Sequence, residues 1–164
     1  MRRLLLSLSI TSCLAACSSI DCPVQNKVSV NYSVCQYDNG KEVADTLTDT
    51  LYIWTRRKDG TDTLLLNRGV NTRSFTLPVS YSHPEDVLIF ATTNTNNDMT
   101  LDTVWINKED IPHFESVDCG ARYFHNLTAV RSTHSAIDTI IINNPSVTYD
   151  ETADHLHIHF KTSR

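Results

Sequence analysis

Three histidines alternate with apolar residues near the end of the chain, in the segment 153–160 with the sequence ADHLHIHF. His155, His157 and His159 occupy every second position, and a strand would place all three on one face. Same-face neighbours on a strand lie about 6.5–7 Å apart, so two adjacent imidazoles can reach one Zn²⁺ ion. The first and third lie about 13 Å apart, too far to share an ion. The spacing therefore allows a zinc site at His155 with His157, or at His157 with His159.

An ordinary strand explains the same alternation without a metal. In that interpretation Leu156, Ile158 and Phe160 enter the core and the three histidines face solvent. A zinc site would also need ligands from elsewhere, for which His125 and His134 are candidates. We therefore predict no metal and no cofactor, and keep a zinc-binding module built on the histidine strand as the alternative.

Other motifs that carry chemistry are absent or incomplete. The sequence has no Gly-x-Ser-x-Gly elbow, no His-Glu-x-x-His and no glycine-rich phosphate loop. Residues 94–102 alternate oxygen-bearing side chains as a calcium loop does, but Met99 and Trp105 stand where the loop needs glycine and glutamate. Trp54 and Trp105 suggest either a sugar platform or core aromatics, and the latter is the commoner role. We predict a non-catalytic protein, with an enzyme whose site is not visible in the sequence as a further alternative.

The N-terminus has the pattern of a lipoprotein signal peptide. Arg2 and Arg3 precede an apolar stretch too short to span a bilayer, and Leu-Ala-Ala-Cys ends it at Cys17. This tetrapeptide resembles the bacterial lipobox, which is cleaved before a cysteine that then carries lipid such as palmitate; Cys13 is a weaker second match. We predict a signal peptide over 1–16, a lipidated cysteine with a short tether over 17–22, and an envelope protein held on a membrane, with the outer membrane preferred.

The charge of the mature chain argues against nucleic acid as a partner. Without Arg2 and Arg3, 12 basic and 19 acidic side chains leave a net charge of −7. Binding to phosphate backbones needs a basic face, and no basic cluster of that size is present. An envelope protein or a glycan remains as the expected partner.

The mature sequence reads as strands nearly throughout. Alternating or β-branched runs separated by turn residues predict strands at about 27–37, 47–55, 62–66, 73–79, 86–93, 101–106, 121–133, 137–143 and 155–161. A short helical turn is expected at 108–110. Many short strands predict a single all-β domain over 23–164, an antiparallel β-sandwich of immunoglobulin-like or related type, with a small β-barrel as the alternative.

Three cysteines follow Cys17, which allows one disulfide and one free thiol. On the strand 27–37, Cys35 lies on the face opposite the apolar one. Cys22 and Cys119 both lie in loop-like Asp-Cys contexts, which favours a bridge between these two. Three reduced thiols are the alternative.

Several segments resemble an uncharacterised Bacteroidetes lipoprotein family, a domain of unknown function. The resemblance rests on DTLLLNRG, FTLPVSY, PHFESVDCG, FHNLTAVRSTHSAIDTIIINNPSVTYDE and LHIHF, and it is most specific in the block that reads HSxIDxIxIxxPSVxYD. It implies a lipid-anchored envelope protein of mostly β structure and supports pairing of Cys22 with Cys119. It implies no activity, cofactor or catalytic residue.

Overall fold

The computed structural model describes residues 28–57, 59–114 and 122–161, and within them the chain forms strands and no helix. The strands are β1 (Ser29–Asp38), β2 (Lys41–Ala44), β3 (Thr50–Arg56), β4 (Asp62–Gly69), β5 (Ser74–Pro78), β6 (Glu85–Thr93), β7 (Met99–His113), β8 (Arg122–Ser132), β9 (Ile137–Ile142), β10 (Ser146–Val147) and β11 (Leu156–Phe160). No helix of these ranges has the length and hydropathy of a membrane span. The predicted signal peptide, Cys17, Cys22 and Cys119 lie outside the described residues.

Two sheets form a sandwich, as the sequence predicts. In the five-stranded sheet the order is β2-β1-β11-β9, and β5 also pairs with β1. β2 and β5 pair with successive parts of β1 along the edge opposite β11. The six-stranded sheet has the order β10-β8-β7-β6-β3-β4, which makes β6 a central strand.

Alternation places the core between the sheets. Val30, Tyr32 and Val34 of β1 are each at most 2% exposed, and Leu156 and Ile158 of β11 are fully buried. The six-stranded sheet supplies the opposite side of this core with buried apolar residues Leu51, Ile53, Leu88, Phe90, Val104, Ile106 and Leu127. Because successive side chains of a strand point to opposite faces, the residues between these core positions lie on the outer faces of the sandwich.

The buried carboxylate of Asp102 binds the segment in which the chain passes from one sheet to the other. Asp102 of β7 is 2% exposed and accepts four hydrogen bonds at 2.6–2.9 Å. The donors are the Thr133 hydroxyl and the backbone N–H groups of Ser135, Ala136 and Ile137. All four lie at the passage from β8 in one sheet to β9 in the other. Asp102 therefore holds the crossover through charge-assisted hydrogen bonds.

The structure corrects three local predictions. The expected helical turn at 108–110 is wrong, because β7 continues through Pro112 to His113 and pairs with β8 along this stretch. The short strands β2 and β10 were not predicted. The pairing of β1 with β11 is parallel, the one departure from antiparallel order among the described strands.

Candidate metal site on the outer face of the five-stranded sheet

Four side chains that can bind a metal meet on the outer face of the five-stranded sheet. Cys35 comes from β1, Glu42 from β2, and His157 and His159 from β11. Strand register brings them together, because Cys35 pairs with His159 across β1 and β11. The hairpin from β1 to β2 sets Tyr37 beside Glu42 two positions further along. We call these four residues the ligand cluster.

The distances within the ligand cluster are short. The two carboxylate oxygens of Glu42 lie 2.8 Å from His157 Nδ1 and 2.7 Å from His159 Nε2. Cys35 Sγ, a carboxylate oxygen of Glu42 and a ring nitrogen of His157 all lie within 4.8 Å of one another, whereas His159 is outside this set and contacts it through Glu42. Tetrahedral Zn²⁺ with bonds of 2.0–2.3 Å holds its ligand atoms about 3.3–3.8 Å apart. Side-chain shifts of about 1 Å would therefore bring these atoms to coordinating positions.

A second carboxylate orients His157 from outside the ligand cluster. Asp154 Oδ2 lies 2.9 Å from His157 Nε2, and Asp154 Oδ1 accepts a 2.8 Å hydrogen bond from the Ser33 hydroxyl. Histidines that bind metals commonly donate their second N–H to a carboxylate, which fixes the ring and raises its basicity. With Nε2 held by Asp154, Nδ1 of His157 is the nitrogen directed at Glu42 and Cys35.

The electrostatics of the ligand cluster follow from these contacts. Burial opposes the charged form of both partners, yet the hydrogen bonds between them prevail: the pKa of His157 is raised by Glu42 and Asp154, and the pKa of Glu42 is lowered by His157 and His159. Burial raises the pKa of the Cys35 thiol, and the nearby carboxylates Glu42 and Asp154 raise it further. A divalent cation would reverse this balance, because it favours the thiolate and displaces protons from the imidazoles.

Burial limits how far the ligands can move. Cys35 is a free cysteine and is 7% exposed, and the side chain of His159 is 4% exposed. The Tyr37 ring stacks on the His159 ring at a centroid distance of 4.8 Å. Glu42 is the most exposed member, with 29% of its side chain accessible. Cys35 and His159 are therefore held within the sheet, and the Glu42 carboxylate lies toward solvent.

The prediction that the histidines face solvent is wrong. His155 and His159 are 0% and 3% exposed, and the side chain of His157 is 16% exposed. For His157 and His159 the physical reason is that Glu42 and Tyr37 from the β1–β2 hairpin cover the outer face of β11. A strand inside a sheet and under a neighbouring hairpin has no open face for its side chains.

His155 does not belong to the ligand cluster. It precedes β11, and its Nδ1 accepts a 3.0 Å hydrogen bond from the backbone N–H of Asn31. Burial lowers the pKa of this imidazole, which keeps it neutral in its structural role. The other suggested ligands also lie elsewhere: His125 contacts Asp110 at 2.6 Å, and His134 contacts the Asp138 carbonyl at 2.7 Å. Of the predicted candidates, the structure brings together only His157 and His159.

Cys35, Glu42 and Asp154 were not predicted as partners of the histidines. A signal for part of the ligand cluster was present, because Asn39-Gly40 is a strong two-residue hairpin signal. Extending that hairpin places Glu42 on the same face as Cys35. No local sequence pattern predicts the parallel pairing of β1 with β11, which joins residues more than 120 positions apart.

Other predicted sites have more ordinary roles. Trp54 and Trp105 both lie on the outer face of the six-stranded sheet, across from Ile89 and Val87 of β6. The Arg131 guanidinium covers the Trp105 ring at 4.0 Å from its centroid, which argues against an open sugar platform. The segment 94–98 is a polar hairpin loop, in which the Asn94 carboxamide oxygen accepts hydrogen bonds from the backbone N–H groups of Asn96 and Asp98.

Three modest clefts are present in the described parts of the chain. They have volumes of about 290, 220 and 190 Å³. Ligand pockets usually measure about 300–1,000 Å³ and are mainly apolar. The cleft of about 290 Å³ is lined by polar residues of β1, β5 and the loop before β11. These three clefts are therefore smaller than usual pockets for organic ligands.

Comparison with known proteins yields one match. The sequence model of a family of unknown function, DUF6452, matches residues 50–160. The matched region contains His157, His159 and Asp154, whereas Cys35 and Glu42 precede it. No curated protein and no solved structure matches the chain.

Proposed function

Because the chain belongs to DUF6452, a family of unknown function, we propose a function from its own geometry: the β-sandwich is a non-catalytic module that binds a divalent transition metal. The ligands are Cys35, Glu42, His157 and His159. The single observation that carries the proposal is the convergence of thiol, carboxylate and imidazole atoms within 4.8 Å.

The donor set selects the class of metal. Thiolate and imidazole ligands suit Zn²⁺ and copper, whereas Ca²⁺ and Mg²⁺ prefer oxygen ligands. Cys35, Glu42 and His157 supply one sulfur, one oxygen and one nitrogen. His159, which contacts Glu42, would supply a second nitrogen by exchanging that contact for the metal, and this set matches a four-coordinate zinc site. Asp154, held by Ser33, supplies the outer carboxylate that such a histidine ligand needs.

The metal proposal is tested by titrating the purified full-length chain with Zn²⁺ in a calorimeter and with Co²⁺ in a spectrophotometer. We expect one ion per chain and a thiolate-to-cobalt charge-transfer band. The chain has five cysteines, so Cys35→Ser decides whether the band arises at the ligand cluster. Binding and band that persist unchanged in Cys35→Ser would exclude this site.

A matched pair of carboxylate variants sharpens the test. Glu42→Gln keeps the size of the side chain and removes a charged ligand, so we expect at least tenfold weaker Zn²⁺ binding. Glu109→Gln makes the same change at an exposed residue of β7, in the other sheet, and should leave the affinity unchanged. Equal affinities in the two variants would refute a role for Glu42.

We also propose that the module is anchored to the bacterial envelope by lipid on Cys17, with an envelope protein or glycan as its partner. The support is the N-terminal pattern of Arg2 and Arg3, a short apolar run and Leu-Ala-Ala-Cys. Metabolic labelling with palmitate tests the anchor: Cys17→Ala should abolish the label, and Cys13→Ala should retain it. Labelling of the Cys17→Ala protein would contradict the assignment.

A further inference from the structure

We infer that the metal at the ligand cluster is exchangeable cargo that the protein passes to an acceptor with thiolate or imidazole ligands, and is not a structural ion. This inference rests on the metal-binding function proposed above. It follows from where the ligands lie relative to the core and from the unequal way in which they are held.

The ligand cluster lies outside the hydrophobic core. Cys35 directly follows Val34, and His157 directly precedes Ile158. Val34 and Ile158 point to the opposite face of the sheet, into the core between the sheets. Burial of that core does not involve the outer face of the five-stranded sheet. A metal on this face is therefore not needed to close the fold, unlike the structural zinc of small domains that lack a sufficient core.

One half of the ligand cluster is firmly held. His157 is fixed through Asp154 and Ser33, and it belongs to β11, which pairs with strands on both sides. Cys35 belongs to β1 and is paired with His159 of β11, a pairing that does not involve β2. Paired, buried strands open rarely, so these ligands keep their positions when β2 opens.

The other half is held weakly. Glu42 lies on β2, a four-residue edge strand that is exposed along its whole length and pairs only with β1. In the described structure the side-chain hydrogen bonds of Glu42 go to His157 and His159, so no residue outside the ligand cluster fixes this carboxylate. Short exposed edge hairpins belong to the least stable parts of a protein and open locally.

This asymmetry provides a route for transfer. When the β1–β2 hairpin opens, Glu42 leaves with it, while Cys35, His157 and His159 still hold the ion. The vacated position on the solvent side can then accept a ligand from the acceptor before the remaining bonds break. No redox change is involved; Zn²⁺ exchanges one set of ligands for another.

The turn of the hairpin supplies a clean perturbation. Asn39 and Gly40 form the two-residue turn with φ values of 48° and 78°, and a Cβ added at Gly40 would meet no atom within 4 Å. Gly40→Ala therefore introduces only the cost of an alanine in the left-handed region. Gly60, at the β3–β4 hairpin, has φ 82° and the same open surroundings. Gly60→Ala is thus a control with the same backbone strain, on a hairpin of the other sheet.

The experiment loads the wild type and both variants with Zn²⁺ and follows transfer to a chromophoric chelator in a stopped-flow instrument. We expect transfer from Gly40→Ala to be about 5–30-fold faster than from the wild type, since the strain favours the open hairpin by that factor. Gly60→Ala should transfer at the wild-type rate, and the wild-type rate should rise with chelator concentration. Circular dichroism of each variant verifies the fold.

The outcomes separate the two proposals. Absence of saturable Zn²⁺ in the loading step overturns both metal binding and transfer. Normal loading with equal transfer rates in Gly40→Ala and Gly60→Ala overturns transfer alone and leaves a tightly held ion. A faster rate of Zn²⁺ transfer from both variants would mean that general destabilisation of the folded protein releases the ion. That result would also overturn the role assigned to the β1–β2 hairpin.

Discussion

Replacing Asp102 by asparagine should be one of the most destabilising single changes in this protein. The carboxylate accepts four hydrogen bonds while 2% exposed, two at each oxygen. An asparagine keeps one oxygen and turns an N–H₂ group toward the donors of the other. If the amide nitrogen replaces Oδ2, the backbone N–H groups of Ala136 and Ile137 lose their acceptor.

The magnitude follows from those two lost bonds. A buried donor left without a partner costs about 1–3 kcal/mol, so Asp102→Asn should lower the free energy of unfolding by about 2–6 kcal/mol. Thr133→Val removes one donor to the carboxylate and the acceptor of the exposed Thr103 N–H but leaves three bonds to Asp102, so it should cost about 1–2 kcal/mol. Asp98→Asn, on the exposed loop between β6 and β7, should change stability by less than about 0.5 kcal/mol.

Urea denaturation followed by tryptophan fluorescence measures these differences, with equal slopes required for comparison. A loss below about 0.5 kcal/mol for Asp102→Asn, or a loss no larger than that of Thr133→Val, would refute the reasoning that the carboxylate fastens the crossover between the sheets.

The pH dependence supplies an independent check. Burial alone would raise the pKa of Asp102, but the hydrogen bonds from Ser135, Thr133, Ile137 and Ala136 outweigh it and lower the pKa. A carboxyl with a lowered pKa in the folded state adds stability above its unfolded pKa, about 3.9, and loses it as the pH falls through the folded value. Stability should therefore drop below about pH 4 in the wild type and drop less in Asp102→Asn. Identical acid profiles would contradict the assignment.

Two further predictions concern the candidate site and the core. Asp154→Asn should weaken Zn²⁺ binding about 10–100-fold, as measured by competition with a chelator, because His157 loses the carboxylate that orients it; unchanged affinity would remove Asp154 from the site. Ile158→Ala, at a fully buried position of β11, should cost about 2–5 kcal/mol in urea denaturation. Leu101→Ala, at a residue 51% exposed, should cost less than about 0.5 kcal/mol, and equal losses would contradict the assigned core.

The regular strands were predictable because their signal is local. Alternation in β1 separated the core residues Val30 and Tyr32 from the outer residue Cys35, and the structure confirms this division. Pro78 ends β5, in keeping with the missing N–H of proline. Asn39-Gly40 is a common two-residue hairpin sequence, and it forms the β1–β2 turn. The strand β2 was missed because its four exposed residues show no apolar alternation to read.

The candidate site was only half predictable. His157 and His159 attracted attention through their spacing, but the same spacing predicted a face open to solvent. Whether a strand face is open depends on what packs over it, and here that is Glu42 and Tyr37 from a hairpin more than 110 residues away. Sequence spacing carries no information about such a contact, because the chain between can take many paths.

By itself, the sequence determined the class of fold, the apolar faces of β1 and β11 and the pattern of a lipoprotein N-terminus, since each depends on residues that are neighbours in the chain. The tertiary structure decided which outer faces meet. The parallel pairing of β1 with β11 brought Cys35 to His159, and the edge hairpin brought Glu42 to both histidines. The physical reason is that burial of the whole core selects which distant strands pair and in which register. That pairing also fixes which side chains become neighbours on the outer face of the sheet.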